Sequence, residues 1–395
     1  MKTLDKYILR NYIYPLILGF SLFTFIFLMS RLFELLELSI TRGVSGGYTA
    51  MIFLSSIPYL ISLTIPMAHV FAGIMTFGNF ANGNETVAFK SLGINFYRLL
   101  KPLFYFTLVI MLLLIVFNNT ILPNSNHKLK NLMLNIYKFK PTYQLEEGVF
   151  TKNFGHYSFF IEKINRKDDS MKNVYIYEEE NGYVKRIIMA KGGKIINGAR
   201  SDTLWLLLYN GTIHDFDKYH NEYHIVNFQK QNFILPIKEN VNSSKSSYRG
   251  DHELDIWQLI ERIKTTKKQM NRSINQKHNT FMITHYKRSL NRLYLEIYKK
   301  ISIPLTSIFL LFMGAGIGAM MKNVNIGLSL TISLGIYGVF YVMMIGGESL
   351  SSMGYINPLI AAITPLFVFA LATVVIISHV INKYSIIKYF TRRKH

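Results

Sequence analysis

Arg31, Glu34 and Glu37 recur at intervals of three at the end of a long apolar run, so a helix there would place them on one face. A guanidinium holds phosphate through two parallel hydrogen bonds, and nearby carboxylates can orient it or bind cations that bridge to phosphate. Charged side chains at membrane depth are costly and often mark a substrate path, whereas those at the headgroup level snorkel to water. Both readings fit these three residues. A second group lies in the segment 79–95, NFANGNETVAFKSLGIN, where Glu85, Val87, Ala88, Phe89 and Leu92 have helical spacing and Gly93 follows as a C′ residue. A short amphipathic helix of this kind lies on a bilayer or docks in a groove of another subunit. With Glu85 and Lys90 as its only charges, it is poorly suited to a lipid surface.

Other groups point away from chemistry. His220-Asn-Glu222-Tyr-His224 resembles a zinc helix, but Glu falls one place late, and Tyr223, Ile225 and Phe228 read as a strand. Residues four apart on a strand are separated by about 13 Å, too far to share one metal. His69 lies in an apolar run and reads as a packed or water-facing polar residue rather than a proton relay. The chain has no G-x-x-x-x-G-K-[ST] run, and Gly192-Gly193-Lys194 is too short to cradle phosphates. It therefore binds no ATP by a P-loop of its own, and no metal or other cofactor is expected on it. The insertion described below holds no set of acid, base and nucleophile, which weakens the alternatives of a glycolipid-modifying enzyme or a membrane-anchored scaffold.

The elements that must carry these residues are mostly membrane spans. Six apolar runs, Tyr12–Ser30, Tyr48–Phe77, Leu99–Leu122, Ile301–Met321, Ile326–Ile345 and Pro358–Ile381, each supply the roughly 20 residues a spanning helix needs. They fall as three and three about a long insertion. Lys2, Lys6 and Arg10, then Lys90, Arg98 and Lys101, then Lys322, and finally Lys383, Lys388, Arg392, Arg393 and Lys394 fall on one side. The positive-inside rule puts both termini in the cytoplasm and the insertion outside it. The formal net charge is +21, and 30 of the 44 Lys and Arg lie between Pro123 and Lys300, against 18 acids. That excess faces away from cytosolic nucleic acid and points to anionic lipid or glycolipid. With no cysteine, the insertion must stand on its own core.

Tyr157–Glu162, Val174–Glu178, Val184–Ala190, Leu204–Tyr209 and Tyr223–Gln229 read as short strands. Asn181-Gly182, Gly192-Gly193, Asn197-Gly198 and Asn210-Gly211 read as the turns between them. Such a pattern suits a sandwich, a jelly roll or a partly open barrel. After the polar linker Ser243–Gly250, Ile256, Leu259, Ile260 and Ile263 return to helical spacing, with Asp255 as N-cap. From Ile256 to Lys300 there are 11 Lys or Arg against Glu261 and Glu296, a basic helical connector. The expected organisation is residues 1–122 for three spans with the loop helix at about 79–95, 123–250 for an all-β domain, 251–300 for the connector, and 301–395 for three spans and a basic tail.

The order of these features resembles one family. The three-plus-three spans are similar to those of the LptF/LptG permeases of lipopolysaccharide export. So are Glu85-Thr-Val-Ala-Phe-Lys-Ser-Leu-Gly93-Ile, Glu147-Gly-Val-Phe150 through Tyr157, Val174-Tyr-Ile-Tyr-Glu178, Ala190-Lys-Gly192, Trp205…Asn210-Gly211 and Glu296-Ile-Tyr-Lys-Lys-Ile-Ser-Ile-Pro304. The resemblance implies a six-span α-helical membrane protein with an inserted periplasmic β-jelly-roll-like domain, lying in the bacterial inner membrane. It implies an ABC-transporter permease that passes lipopolysaccharide or a related glycolipid toward the outer membrane. Its implied partners are a second LptF/LptG-type permease, a cytosolic LptB-like ATPase dimer that uses ATP and Mg, and a periplasmic LptC/LptA-like bridge. The loop helix, with Glu85, Ala88, Phe89, Lys90, Leu92 and Gly93, would couple to that ATPase, Phe89 and Leu92 serving as buried anchors. Arg31, Glu34 and Glu37 would stand at the lipid gate bordered by the first and fifth spans. The basic, Asn-rich connector Lys264–Asn291 departs from the family pattern.

Overall fold

The computed structural model describes residues 3–40, 44–139, 145, 147–154, 157–165, 170–180, 183–197, 203–217, 222–236, 249–275 and 280–391. These form two compact units, one of residues 1–31, 56–127 and 250–395, the other of residues 32–55 and 128–249.

The first unit is helical. Its elements are α1 (Thr3–Ile40, as far as Arg31), α2 (Gly46–Asn82, from Ser56), α3 (Glu85–Ser91), α4 (Phe96–Phe139, as far as His127), α5 (Ile256–Asn275), α6 (Thr280–Met320), α7 (Ile326–Met353) and α8 (Pro358–Thr391). Six of the helices are long and apolar enough to cross a membrane, and each runs beyond its apolar window. Hydrocarbon leaves no solvent partner for a backbone group, so helices that satisfy their own N–H and C=O groups are the form such runs take.

The centre of this unit is the seam between α2 and α6. A Cβ built on Gly314 would meet the Val70 carbonyl oxygen at 2.4 Å, and one on Gly318 would meet that of Ile74 at 2.4 Å. From the other side, a Cβ on Gly73 would lie 2.7 Å from the Leu311 carbonyl oxygen. The helices therefore touch backbone to backbone, the close approach that glycines four apart permit in a membrane. Met67, Phe71, Phe77, Leu310, Leu311 and Met313 pack on either side of the seam. His69, fully buried, is the packed residue the sequence suggested, and its Nδ1 is 2.6 Å from the Tyr12 hydroxyl of α1. Its Nε2 has no hydrogen-bond partner among the described residues.

The second unit holds the end of α1, the start of α2 and the end of α4, which pack through Leu35, Val44 and Ile52, together with a six-stranded antiparallel sheet in sequential order: β1 (Thr151–Phe154), β2 (Tyr157–Asn165), β3 (Ser170–Glu180), β4 (Tyr183–Asn197), β5 (Thr203–Asp217) and β6 (Glu222–Pro236). The inserted all-β domain is thus present, with β1 as a strand the sequence did not announce. Alternation puts Phe159, Ile161, Val174, Ile176, Ile188, Leu206 and Leu208 on one face, where they bury one another with Leu145.

Two of the expected turns are not turns. Gly192-Gly193 lies inside β4, and Asn210-Gly211 lies inside β5. They lie beside a break in the ladder. Asn173 and Asn210 take left-handed conformations, each with φ 50, which Asn tolerates better than most residues. Pairing is skipped along one transverse row, Glu162, Asn173, Lys191, Asn210 and Gln229, and resumes on both sides. A Cβ on Gly211 would meet the Met189 carbonyl oxygen at 2.2 Å, so the close approach of the strands needs a bare backbone there. Asn181-Gly182 and Gly198 lie outside the described residues, as does His220; Glu222 to His224 open β6, the strand expected of them.

Substituting Leu for Gly314 should separate α2 from α6 and lower the thermal midpoint of the purified protein, at a cost above the roughly 1–3 kcal/mol of ordinary overpacking. Leu at Gly335, where a Cβ meets nothing within 4 Å, should leave that midpoint unchanged.

Candidate functional site

At one end of the helical unit, α3 hangs between α2 and α4. Its C-terminus closes with two hydrogen bonds: Gly93 N–H donates to the Lys90 carbonyl at 2.9 Å, and Ile94 N–H to that of Phe89 at 2.9 Å. This is a Schellman motif, with Gly93 at φ 74 as the sequence required. α3 is fixed to its own chain through one face. The Tyr7 hydroxyl of α1 donates to Glu85 Oε2 at 2.7 Å. The Phe89 ring meets Phe80 of α2 edge-on at 5.8 Å, and Phe80 stacks on Tyr7 at 5.9 Å. Beside them Arg98 of α4 pairs with Asp5 of α1 at 2.6 Å.

Phe89 therefore differs from the expectation that it is an outward anchor, because a ring beside Phe80 and Ile94 gains more from its own core than from projecting into water. The outward apolar side chains are Leu92, 74% exposed, and Val87, 64% exposed. Ala88 is exposed between them; Lys90 is half-buried, and the loss of water around its ammonium lowers its pKa. The gate candidates lie on α1, where Arg31 is half-buried and Glu34 and Glu37 are exposed.

At the opposite end, the helices are held by charges that no sequence motif announced. Lys299 of α6 donates to Glu296 Oε1 at 3.0 Å and to Glu348 Oε2 of α7 at 2.9 Å. His252, in a single 3₁₀ turn (Asp251–Glu253), pairs with Glu296 Oε2 at 3.0 Å. The donor atoms of His252, Glu296 and Glu348 lie within 4.8 Å of one another, a spacing that suits a divalent cation. The Lys299 ammonium bridges both carboxylates and supplies the positive charge instead. The Glu296 carboxylate raises the His252 pKa by hydrogen bonding to its imidazolium.

Polar residues of α4 complete the clasp. Asn119 Oδ1 accepts from the first N–H of α5, that of Ile256, at 2.8 Å, and the Asn118 carbonyl accepts from Lys300 at 2.9 Å. His127 pairs with Glu253 at 2.7 Å. Asp255 caps α5 as its position implied: Gln258 N–H donates to Asp255 Oδ1 at 2.7 Å, and Asp255 N–H to Gln258 Oε1 at 3.2 Å. The sequence signal for the clasp was available in the Asn118-Asn119 pair and in Glu296 and Lys299, polar residues at the edges of apolar runs.

Six helices long and apolar enough to span a membrane, an inserted β-unit and a short helix slung between the second and third spans define a multi-pass membrane protein. The lipopolysaccharide export system permease LptF/LptG family matches residues 6–379, and the chain belongs to that family. Its members are transporter permeases of lipopolysaccharide export that operate within a larger Lpt complex, not enzymes. Comparison with curated proteins gave no match.

Replacing Lys299 with Met should destabilise the protein by about 3 kcal/mol, because it leaves Glu348 without its cation and Glu296 with His252 alone. Glu348→Gln should cost less. Since the His252 pKa is raised in the folded state, its ion pair is complete below about pH 6.5 and is lost as pH rises through that raised pKa. The thermal midpoint should fall over that interval, and His252→Gln should flatten the fall; an unaltered pH profile in the variant would count against the clasp.

Proposed function

We propose that this chain is one permease half of an ABC exporter that extracts lipopolysaccharide, or a related glycolipid, from the inner membrane with both termini in the cytoplasm. A cytosolic LptB-like ATPase dimer, using ATP and Mg, docks on α3; a second LptF/LptG-type permease completes the membrane part, and an LptC/LptA-like bridge receives the lipid. The observation that carries this reading is α3 itself. One of its faces is tied to α1 and α2 through Tyr7–Glu85 and Phe80–Phe89, and Val87 and Leu92 remain exposed on a loop marked as cytoplasmic by its flanking Arg98 and Lys101.

The ties give docking a mechanical consequence. A push on α3 reaches the start of α1 through the Tyr7 hydroxyl and the Phe80 ring, and α1 carries Arg31, Glu34 and Glu37 at its far end. Arg31 would take the lipid phosphate, with Glu34 and Glu37 orienting it or binding bridging cations. In the β-unit, the apolar face of Phe159, Ile161, Val174 and Ile176 offers a path for acyl chains.

Leu92→Ala with Val87→Ala should release the co-purifying ATPase and abolish lipid-stimulated turnover, the loss of two anchors costing about 2 kcal/mol or more of binding. The thermal midpoint should hold. Phe89→Ala should instead lower that midpoint, since it empties a contact within the chain. An ATPase that stays bound to the double variant would refute docking through α3. Photocrosslinkers at positions 31 and 34 should capture lipopolysaccharide during transport, and Arg31→Glu should impair loading more than Glu34→Gln; failure to capture lipid at either position would remove both from the gate.

A further inference from the structure

Four cations of the helical unit, Lys299, Lys300, Arg98 and Arg262, are engaged, the last with Asp251 at 3.6 Å, and among the exposed ones three on α5 form a regular row. Lys264, Lys268 and Arg272 are exposed on α5 and have no ion-pair partner among the described residues. They recur at i, i+4 and i+8, on the side opposite Leu259, Ile263, Thr266 and Ser273, which are buried. Lys267 flanks the row with its ammonium 5.5 Å from the centre of the Tyr294 ring.

Like charges four apart on a helix repel, so this row weakens the helix that carries it. Glu261 is the one acid in α5. The helix holds because its other face packs on α6 through Leu259, Ile263, Leu290 and Leu293. A row of repelling charges kept on a helix stabilised by other means is a local cost without an intramolecular gain, the pattern expected of a binding surface.

The height of the row selects the ligand. α5 starts where Ile256 is bonded to Asn119 at the outer end of the third span, and runs back along the part of α6 that precedes its apolar window. At the rise of an α-helix, Lys264, Lys268 and Arg272 stand about 12, 18 and 24 Å along the axis from that base. Charges interact in physiological salt over about 8 Å. Phosphates level with Asn119, at the base of α5, are therefore beyond the reach of Lys268 and Arg272. The anion must project from the membrane.

We propose that the outer face of α5 binds the phosphorylated saccharide headgroup of the transported glycolipid and holds it upright beside the permease as the acyl chains leave the bilayer. This rests on the reading of the chain as a glycolipid permease. A saccharide core with phosphates spaced along it matches three cations about 6 Å apart.

The test uses the full-length chain in nanodiscs of zwitterionic phospholipid. Three fluorescent probes are compared: rough lipopolysaccharide with a phosphorylated core, the same lipid after phosphatase treatment of its core, and lipid A without a core. The wild type should bind the phosphorylated-core lipid most tightly. Lys264→Glu/Lys268→Glu/Arg272→Glu should weaken that binding at least about tenfold and flatten its salt dependence, with lipid A binding and the thermal midpoint unchanged. The corresponding Gln variant should lie between. Equal affinity of wild type and charge-reversed protein for the phosphorylated-core lipid would overturn the proposal. So would an unchanged lipid affinity accompanied by lost binding of an acidic periplasmic protein, which would assign the row to a protein partner. A wild type that binds none of the three probes would overturn the permease reading itself.

Discussion

The backbone contact between α2 and α6 is the constraint on which the rest of the helical unit depends. Association of helices in lipid has no hydrophobic drive, so it rests on close packing, and Gly73, Gly314 and Gly318 permit the closest packing available. The consequence is a paired axis through the unit. α2 carries Phe80 and Asn82 at its C-terminal end, where Asn82 accepts from Asn323 N–H at 2.8 Å and donates to the Val324 carbonyl at 3.2 Å. α6 carries Glu296, Lys299 and Lys300 at the other end. Both working ends are therefore attached to one seam, and the remaining helices are positioned by what they bond to on it.

Polar groups within the spans follow the same logic. Ser62 of α2 donates to Asn118 of α4 at 2.8 Å, and Tyr12 of α1 meets His69 of α2, so these buried polar residues join α4 and α1 to α2. α1 is joined to α2 at two levels, Tyr12–His69 within the apolar run and Tyr7–Phe80 nearer its N-terminus. Tyr7 also bonds Glu85, so α1 is tied to α3 by contacts that are each local and specific.

The spans, the β character of the insertion, the α3 cap and the α5 cap were legible because each is written in local periodicity or in a short capping pattern. Gly93 and Asp255 are cases where one residue type at one offset has one structural meaning. The same kind of reading failed at Gly192-Gly193 and Asn210-Gly211. A dipeptide that favours a turn also favours a bend within a strand, and only the pairing of neighbouring strands decides between them. Phe89 shows a related limit: helical spacing gives the apolar positions of a seven-residue helix but not which of them faces Phe80, a contact set by the packing of α2 and α4. The clasp was least legible of all, since His252, Glu296 and Glu348 are distant in sequence and are brought together by tertiary packing alone.

Pairing separates structural charges from available ones. Arg98 is matched by Asp5, and Lys299 by two carboxylates at once, because a charge close to the low-dielectric slab interacts strongly with whatever lies near it and an unmatched one would be expensive. Farther out, water screens each charge and pairing is no longer required for the fold. α3 divides its apolar residues in a corresponding way, Phe89 turned toward Phe80 and Leu92 and Val87 left outward. In α3 and in α5 the face that holds the element in place and the exposed face are distinct, so a substitution on the exposed face leaves the contacts that fix the geometry intact.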